Sequence, residues 1–241
     1  NCYLVGDPEG DFVLVDPAAH LREDMEDLAA AVDRHKGRLI ALLFTHSHPD
    51  HIGDVGLLRE AFDVPIWASE HTAKSVPCDR ILVDGDVLQL GEQAWEVLIT
   101  PGHHPGHVCL SGDAGIIAGD MVAGIGTILI PPHTGDMNAY IEQLHRLKKI
   151  EPHLLFPSHG PVLALPGQVF QHYITHRSAR HQAVFDAVQS GCESLQEITQ
   201  IAYSDTPNAH PALAMDQTLS HLMSHQRAGI LKETSQRWSV S

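Results

Sequence analysis

The sequence predicts an α/β fold over its first two thirds and a smaller, mainly helical region after it. Strand patterns and amphipathic helix patterns alternate up to about residue 167, as in layered α/β folds. Beyond Pro166, three helical segments follow one another. Residue types that bind metal also come directly after several predicted strands. We therefore expect a catalytic domain over residues 1–167 and a second domain over residues 168–241.

The first part is predicted from short apolar runs and from apolar residues at 3.6-residue spacing. Its strands are expected at 11–16, 39–44, 65–68, 107–111, 115–119 and 154–156, with further strand signals over 80–100. Its helices are expected at 21–36, 54–62 and 138–150. Gly112-Asp113, between two of the strands, predicts a hairpin turn.

The second part is predicted to contain three helices and a short strand pair. The helices are expected at about 168–190, 194–202 and 211–227, and the strand pair within 229–240. This order is that of a winged helix. The long first helix is expected to bridge the two domains.

Charge is concentrated in the first part of the chain. The formal net charge is −15, and residues 1–167 carry 24 acidic and 10 basic residues, whereas residues 168–241 carry 6 and 5. This balance disfavours a nucleic-acid partner, since a phosphate backbone is repelled by an acidic field. No apolar run reaches the ~18 residues that span a bilayer, so we expect no membrane partner. Four scattered cysteines without a C-x-x-C pair suit a reducing, cytoplasmic location.

The run from Thr45 to His51 is the strongest functional signal. His46 and His48 are two residues apart, so in an extended segment they point the same way. Asp50 and His51 follow Pro49 and can face a second ion once the chain turns. Imidazole nitrogens and carboxylate oxygens are zinc ligands. The spacing therefore predicts a metal site.

Three further residues each end a predicted strand or a glycine-rich turn. They are His107, Asp120 after the 115–119 strand, and His159 in Pro157-Ser158-His159-Gly160. Several strands of one sheet can bring such side chains to one edge, where α/β folds build their active sites.

These motifs together resemble the metallo-β-lactamase superfamily. The resemblance implies an αββα sandwich with a dinuclear metal site at one edge. It assigns His46, His48 and His107 to one metal, Asp50, His51 and His159 to the other, and Asp120 to a bridge between them.

Other segments are similar to the branch of that superfamily named β-lactamase-like protein 2. These are Asn1-Cys2-Tyr3-Leu4-Val5, Val15-Asp16, Thr100-Pro101-Gly102-His103 and His176-Arg177. The branch implies a C-terminal winged helix, which residues 168–241 fit, and a further strand before Asn1.

The expected enzyme is a zinc-dependent hydrolase with two Zn²⁺ per chain, although the same ligands suit Mn²⁺ or iron. A metal-bridging hydroxide would attack the substrate. Asp120 would bridge the ions, and Asp50 would orient the hydroxide and carry a proton. Asp16 is expected to accept a hydrogen bond from a ligand histidine, or to cap the turn before Pro17.

Two residues of the predicted helices each have two candidate roles. Tyr140 would contact substrate or pack in the core, and His176 would reach the active-site rim or form an ion pair.

A small acyl compound (a thioester, ester, lactone or amide) is the preferred substrate, because the catalytic part is acidic. An endoribonuclease acting on single-stranded RNA is the first alternative, implied by the resembled branch. A β-lactamase is the second. A homodimer is left open.

Overall fold

The computed structural model describes residues 1–241 and divides the chain into two compact units. The first unit comprises residues 1–100, 106–127 and 151–166, and the second comprises 101–105, 128–150 and 167–241. No helix combines the length and apolar character needed to cross a bilayer.

The first unit contains two five-stranded sheets. One sheet has the order β1 to β5, with bounds Tyr3–Gly6, Asp11–Val15, Arg38–Leu43, Ile66–Ser69 and Arg80–Leu82. The other runs in the order β10-β9-β8-β7-β6, where β6 to β10 are Val87–Leu90, Gln93–Ile99, Val108–Gly112, Gly115–Gly119 and Leu155–Pro157. Strands β2 to β5 run parallel to one another, and β9 runs parallel to β10, whereas β1 is antiparallel to β2 and β8 is antiparallel to β9.

Seven α-helices complete the fold. In the first unit α1, α2 and α3 span Arg22–Asp33, Pro49–Ile52 and Val55–Ala61, and a 3₁₀ turn spans Thr72–Lys74. The later helices α4 to α7 span Met137–Lys149, Pro166–Gln189, Leu195–Ala202 and Pro211–Arg227. They are followed by an antiparallel hairpin of β11, Leu231–Thr234, and β12, Arg237–Val240.

Alternation along β2 shows how the first unit is layered. Val13 and Val15 belong to the core between the two sheets, whereas Leu14 belongs to a second core that also contains Met25 of α1 and Leu58 of α3. Successive side chains of a strand point to opposite faces, so the sheet buries both faces. Both faces of β2 are therefore packed up to Val15, the residue directly before Asp16.

The second unit has its own apolar core. It is formed by residues of helices α5, α6 and α7 and of the hairpin, namely Val184, Ala187, Val188, Ile198, Ala202, Leu222, Leu231 and Trp238. Helix α6 begins at a capping box, in which the Ser194 hydroxyl accepts from the Glu197 amide and the Glu197 carboxylate accepts from the Ser194 amide.

The predicted α/β class is confirmed, and each predicted helix and strand is present within a few residues of its expected bounds. Three elements were not predicted, one of which is the 3₁₀ turn over Thr72–Lys74. Strand β1 is only four residues long, and α2 is a single turn within the ligand run itself.

Candidate metal centre

Strand direction brings the predicted ligands to one edge of the two sheets in the first unit. Strand β3 ends two residues before Thr45, and the parallel strands β9 and β10 end directly before Asp120 and Ser158. Strand β8 is antiparallel to β9 and begins directly after His107. Parallel strands end at the same edge, and an antiparallel neighbour begins there.

One group of side chains surrounds the imidazole of His51. Its Nε2 atom lies 3.7 Å from Asp50 Oδ2 and 3.6 Å from Asp120 Oδ1. His159 Nε2 lies 3.5 Å and 3.4 Å from the same two oxygens. Ligand atoms of Asp50, His51 and His159 all lie within 4.8 Å of one another, and so do those of His46, His51 and Asp120.

The remaining ligand candidates adjoin this group. His46 Nε2 is 2.9 Å from His48 Nδ1, and the His46 ring lies with its centroid 3.9 Å from that of His51 and 5.2 Å from that of His107. His107 Nε2 accepts a hydrogen bond from the backbone N–H of Asp120 at 2.9 Å. All seven predicted ligands therefore lie in one cluster.

Helix α2 explains how adjacent residues of the ligand run reach different partners. It begins at Pro49, whose fixed φ suits the first position of a helix. The helical turn places Asp50 on the exposed side and His51 on the buried side, with side chains that are 61% and 1% exposed.

Exposure changes steadily across the cluster. His46, His51, His107 and Asp120 are buried, whereas the side chains of Asp50 and His159 are 61% and 43% exposed. The cluster thus has a buried side, called its floor, formed by His46, His51, His107 and Asp120, and a solvent-exposed side, called its mouth, formed by Asp50 and His159. A ligand arriving from solvent would meet Asp50 and His159 first.

Asp16 anchors the buried side of the cluster. Its Oδ1 accepts from the Thr45 amide at 2.8 Å, and its Oδ2 accepts from the Thr45 hydroxyl at 2.6 Å and from His51 Nδ1–H at 2.8 Å. Asp16 has φ 48°, a left-handed conformation that Asp tolerates better than most residues. Its position agrees with the predicted hydrogen bond to a ligand histidine.

Two hydroxyl groups that were not among the predicted site residues orient two other histidines. The Thr45 hydroxyl donates to Asp16, so its oxygen accepts from His46 Nδ1–H at 3.0 Å. Since His107 Nε2 is an acceptor, His107 Nδ1–H donates to the Thr100 hydroxyl at 2.7 Å. Both histidines therefore keep a lone pair on Nε2.

The position of these hydroxyls is a signal that could have identified them. Thr45 and Ser158 directly precede the ligand candidates His46 and His159, and Thr100 opens the loop that ends at His107.

Electrostatics differ between the buried floor and the mouth. Burial lowers the pKa of His51, but the carboxylates of Asp120 and Asp16 outweigh it and raise that pKa to about 10. Burial and the neighbouring His51 lower the pKa of His48. The floor of the cluster is therefore a place where positive charge is stabilised.

The environment of one buried nitrogen atom indicates whether the cluster suits a metal ion. His51 Nε2 is buried without a hydrogen-bond partner and faces two carboxylate oxygens beyond hydrogen-bond distance. An unpartnered buried nitrogen costs free energy unless something else binds it. Mixed nitrogen and oxygen donors at this spacing fit a divalent transition metal.

Tyr140 and His176 lie in the second unit. Tyr140, on α4, is fully buried beside Gly102, with the Arg177 guanidinium 5.8 Å from its ring centroid. His176, on α5, is exposed and stacks on His172 with centroids 6.3 Å apart. Their predicted roles at a substrate remain predictions.

A family model described as the metallo-beta-lactamase superfamily matches residues 1–159. A beta-lactamase-like protein 2 homolog of Drosophila melanogaster is 27% identical over 96% of this chain and 84% of its own length. A hydroxyacylglutathione hydrolase of Bdellovibrio bacteriovorus is 34% identical over 60% of each chain. An atrochrysone carboxyl ACP thioesterase of Aspergillus fumigatus is 28% identical over 79% of this chain and 60% of its own.

Solved structures show the same fold. A beta-lactamase domain protein from Burkholderia ambifaria matches all of this chain and 88% of its own, with a TM-score of 0.81 and 23% identity. TTHA1623, solved in a di-iron-bound form, is 29% identical and covers 70% of this chain and 91% of its own, with a TM-score of 0.57.

Proposed function

This chain belongs to the metallo-beta-lactamase superfamily, and from that premise we propose that it is a dinuclear metal-dependent hydrolase of a small acyl compound. The observation that carries the proposal is the cluster of seven His and Asp side chains that includes the buried, unpartnered His51 Nε2. The di-iron form of TTHA1623 supports two ions rather than one.

In this proposal each ligand has an assigned place. His46, His48 and His107 would hold one ion, Asp50, His51 and His159 the other, and Asp120 both. Zinc is the preferred metal, and manganese and iron suit the same donors. When bound, the ions supply a water that ionises near neutral pH and polarise the reacting oxygen of the substrate.

The chain's own residues supply the rest of the chemistry. Asp16, through His51 and through Thr45, holds two imidazoles in the tautomer that carries its lone pair on Nε2, the atom that would bind a cation. Thr100 does the same for His107. Asp50, at the open mouth, would accept a proton at Oδ2 and deliver it to the leaving group.

Two observations support an acyl substrate. The names of two relatives refer to a hydroxyacylglutathione and to a thioesterase. Residues 1–167 carry 24 acidic against 10 basic residues, a balance that repels polyanions. A thioester is therefore the first substrate to test, and we expect the substrate to be an acylated small-molecule thiol of the cytoplasm.

The decisive experiment compares substrates side by side. The zinc-loaded protein would be assayed on an acylglutathione thioester, a lactone, a cephalosporin and single-stranded RNA, with Asp120→Asn as the inactive control. We expect thioester cleavage that is lost in the variant. Cleavage of RNA alone would favour the endoribonuclease instead, for which a nucleic-acid-binding role of the winged-helix-like residues 168–241 would be the natural explanation. Cleavage of the cephalosporin alone would favour a β-lactamase.

Metal content tests the site independently of the substrate. We expect two metal ions per chain by elemental analysis. A content near zero after purification without chelators would contradict the proposed centre.

A further inference from the structure

Three histidines form a cluster within the second unit, where α5 meets α7, and of the three His221 and His225 are buried and His181 is half-buried. His181 lies on α5, and His221 and His225 lie one helical turn apart on α7. The rings of His181 and His225 are stacked, with centroids 3.7 Å apart and planes inclined by 13°. The Nδ1 atoms of His181 and His221 are 3.0 Å apart.

The contacts of this cluster require neutral imidazoles. Between the two Nδ1 atoms, one must donate and the other accept, so a second proton would set two N–H groups against each other. His225 donates from Nε2 to the His181 carbonyl at 3.0 Å, which leaves its Nδ1 as a lone pair. That Nδ1 and His221 Nε2 are buried without a hydrogen-bond partner.

The surrounding charges oppose protonation. Arg177 and Arg180 of α5 act on His221 with the same sign as an added proton. The acid that acts on His181 is Asp136, at the start of α4, and Asp136 is already paired with Arg227 at 3.2 Å. The ionisable groups of α6 and β11, Glu197, Lys232 and Glu233, are all exposed.

Burial and these neighbours shift the titration in one direction. Burial, followed by the charge of His225, lowers the pKa of His181 to about 4. Burial and the charge of His181 lower the pKa of His221, and burial lowers that of His225. In an open form each would return to about 6.5.

We propose that His181, His221 and His225 form a proton-sensitive latch, which holds α7 against α5 while all three are neutral and releases α7 in mildly acidic solution. The inference does not depend on the proposed hydrolase activity.

Helix α7 also holds Ile130 through both polar atoms of Gln217, and its Ser224 hydroxyl accepts from the Asn138 amide. Release of α7 would therefore free residues 128–138 of the same unit.

The sign follows from proton binding. The open form binds more protons than the closed form, so closure is fully favoured above about pH 6.5 and weakens as pH falls toward the lower pKa values of the closed form. Each histidine that is protonated only in the open form raises the opening constant about tenfold per pH unit below 6.5.

Hydrogen exchange of the zinc-loaded full chain tests the latch. Between pH 7.5 and 5.5, after correction for the intrinsic exchange rate, we expect the opening constant of amides in α7 to rise by about 10- to 1,000-fold. Amides of β2, in the first unit, should change far less. His225→Phe keeps a ring on His181 but cannot be protonated, so its response should be about tenfold smaller. His172→Gln, which removes an exposed histidine of α5, should respond like the original protein.

A second measurement serves if His225→Phe does not fold. Imidazole NMR titration of the unaltered chain should show three histidines that remain neutral at pH 6. As these histidines become protonated at lower pH, the amides of α7 should lose their protection from exchange. The latch is wrong if α7 exchange is unchanged at pH 5.5, if His225→Phe responds fully, or if these three histidines titrate near pH 6.5 with α7 still protected.

Discussion

Asp16 Oδ2 accepts a hydrogen bond from His51 Nδ1 at 2.8 Å, and both side chains are almost completely buried. The same oxygen accepts from the Thr45 hydroxyl, which in turn accepts from His46. One carboxylate therefore sets the tautomer of two candidate ligands. A histidine that donates from Nδ1 presents a lone pair at Nε2, which is the atom that a cation needs.

Replacing Asp16 with Asn should weaken metal binding although all seven candidate ligand residues are still present. The Asn amide would place N–H donors near His51 Nδ1, which favours the wrong tautomer. We expect metal affinity, measured by competition with a chelator, to fall about 10- to 100-fold. The free energy of unfolding should fall by about 1–3 kcal/mol, since buried donors lose their acceptor.

Asp113→Asn is the matched control, because Asp113 is exposed in the turn between β8 and β9. Its metal affinity and stability should equal those of the unaltered protein. Unchanged metal affinity in Asp16→Asn would show that the carboxylate does not orient the ligands.

The ligand cluster could be predicted because its residues are chemically distinctive and follow strands that periodicity identifies. The hydroxyl partners could not be predicted in the same way. Thr45 and Thr100 are common strand and loop residues, and their roles arise from contacts that only the folded chain makes. For the same reason the sequence did not decide whether Asp16 caps a turn or accepts a hydrogen bond from a ligand histidine. Its partner His51 is 35 residues away in the chain, and only folding brings the two together.

The short helix α2 was missed for a different reason. A four-residue helix contains too few residues to show a 3.6-residue period, and its first residue, Pro49, is equally compatible with a turn. The exposed and buried sides of α2 nevertheless decide that Asp50 faces solvent and His51 faces the floor of the cluster.

Thr100→Val should separate the hydroxyl from the shape of the side chain. Valine fills nearly the same volume but cannot accept the His107 Nδ1–H bond, which is 2.7 Å long. We expect the metal affinity to fall about 10-fold or more, measured by calorimetric titration of metal-free protein. Thr100→Ser keeps the hydroxyl and should restore most of the affinity. Equal losses in both variants would assign the effect to packing instead.

Asp50→Asn should affect turnover far more than folding. The Asp50 side chain is 61% exposed, so its replacement should change the unfolding free energy of the metal-free protein by no more than about 0.5 kcal/mol. If Asp50 carries a proton to the leaving group, kcat on the thioester should fall about 100-fold or more. Urea unfolding in chelator and steady-state kinetics measure the two effects. A variant with normal kcat would remove Asp50 from the proton pathway.

Gly119→Ala should disturb His107 through direct steric contact. Gly119 has φ 51°, and a Cβ added there would fall on His107 Nε2 and approach Thr45 Cβ. Gly85→Ala is the matched control, because Gly85 also has a positive φ, 84°, but an added Cβ would meet nothing within 4 Å. Both variants should lose about 1–2 kcal/mol of stability from the left-handed backbone. Since only Gly119→Ala displaces a candidate ligand, only this variant should also lose metal, measured as bound ions per chain after dialysis. A metal content in Gly119→Ala equal to that of the unaltered protein would show that His107 is not needed to hold the metal.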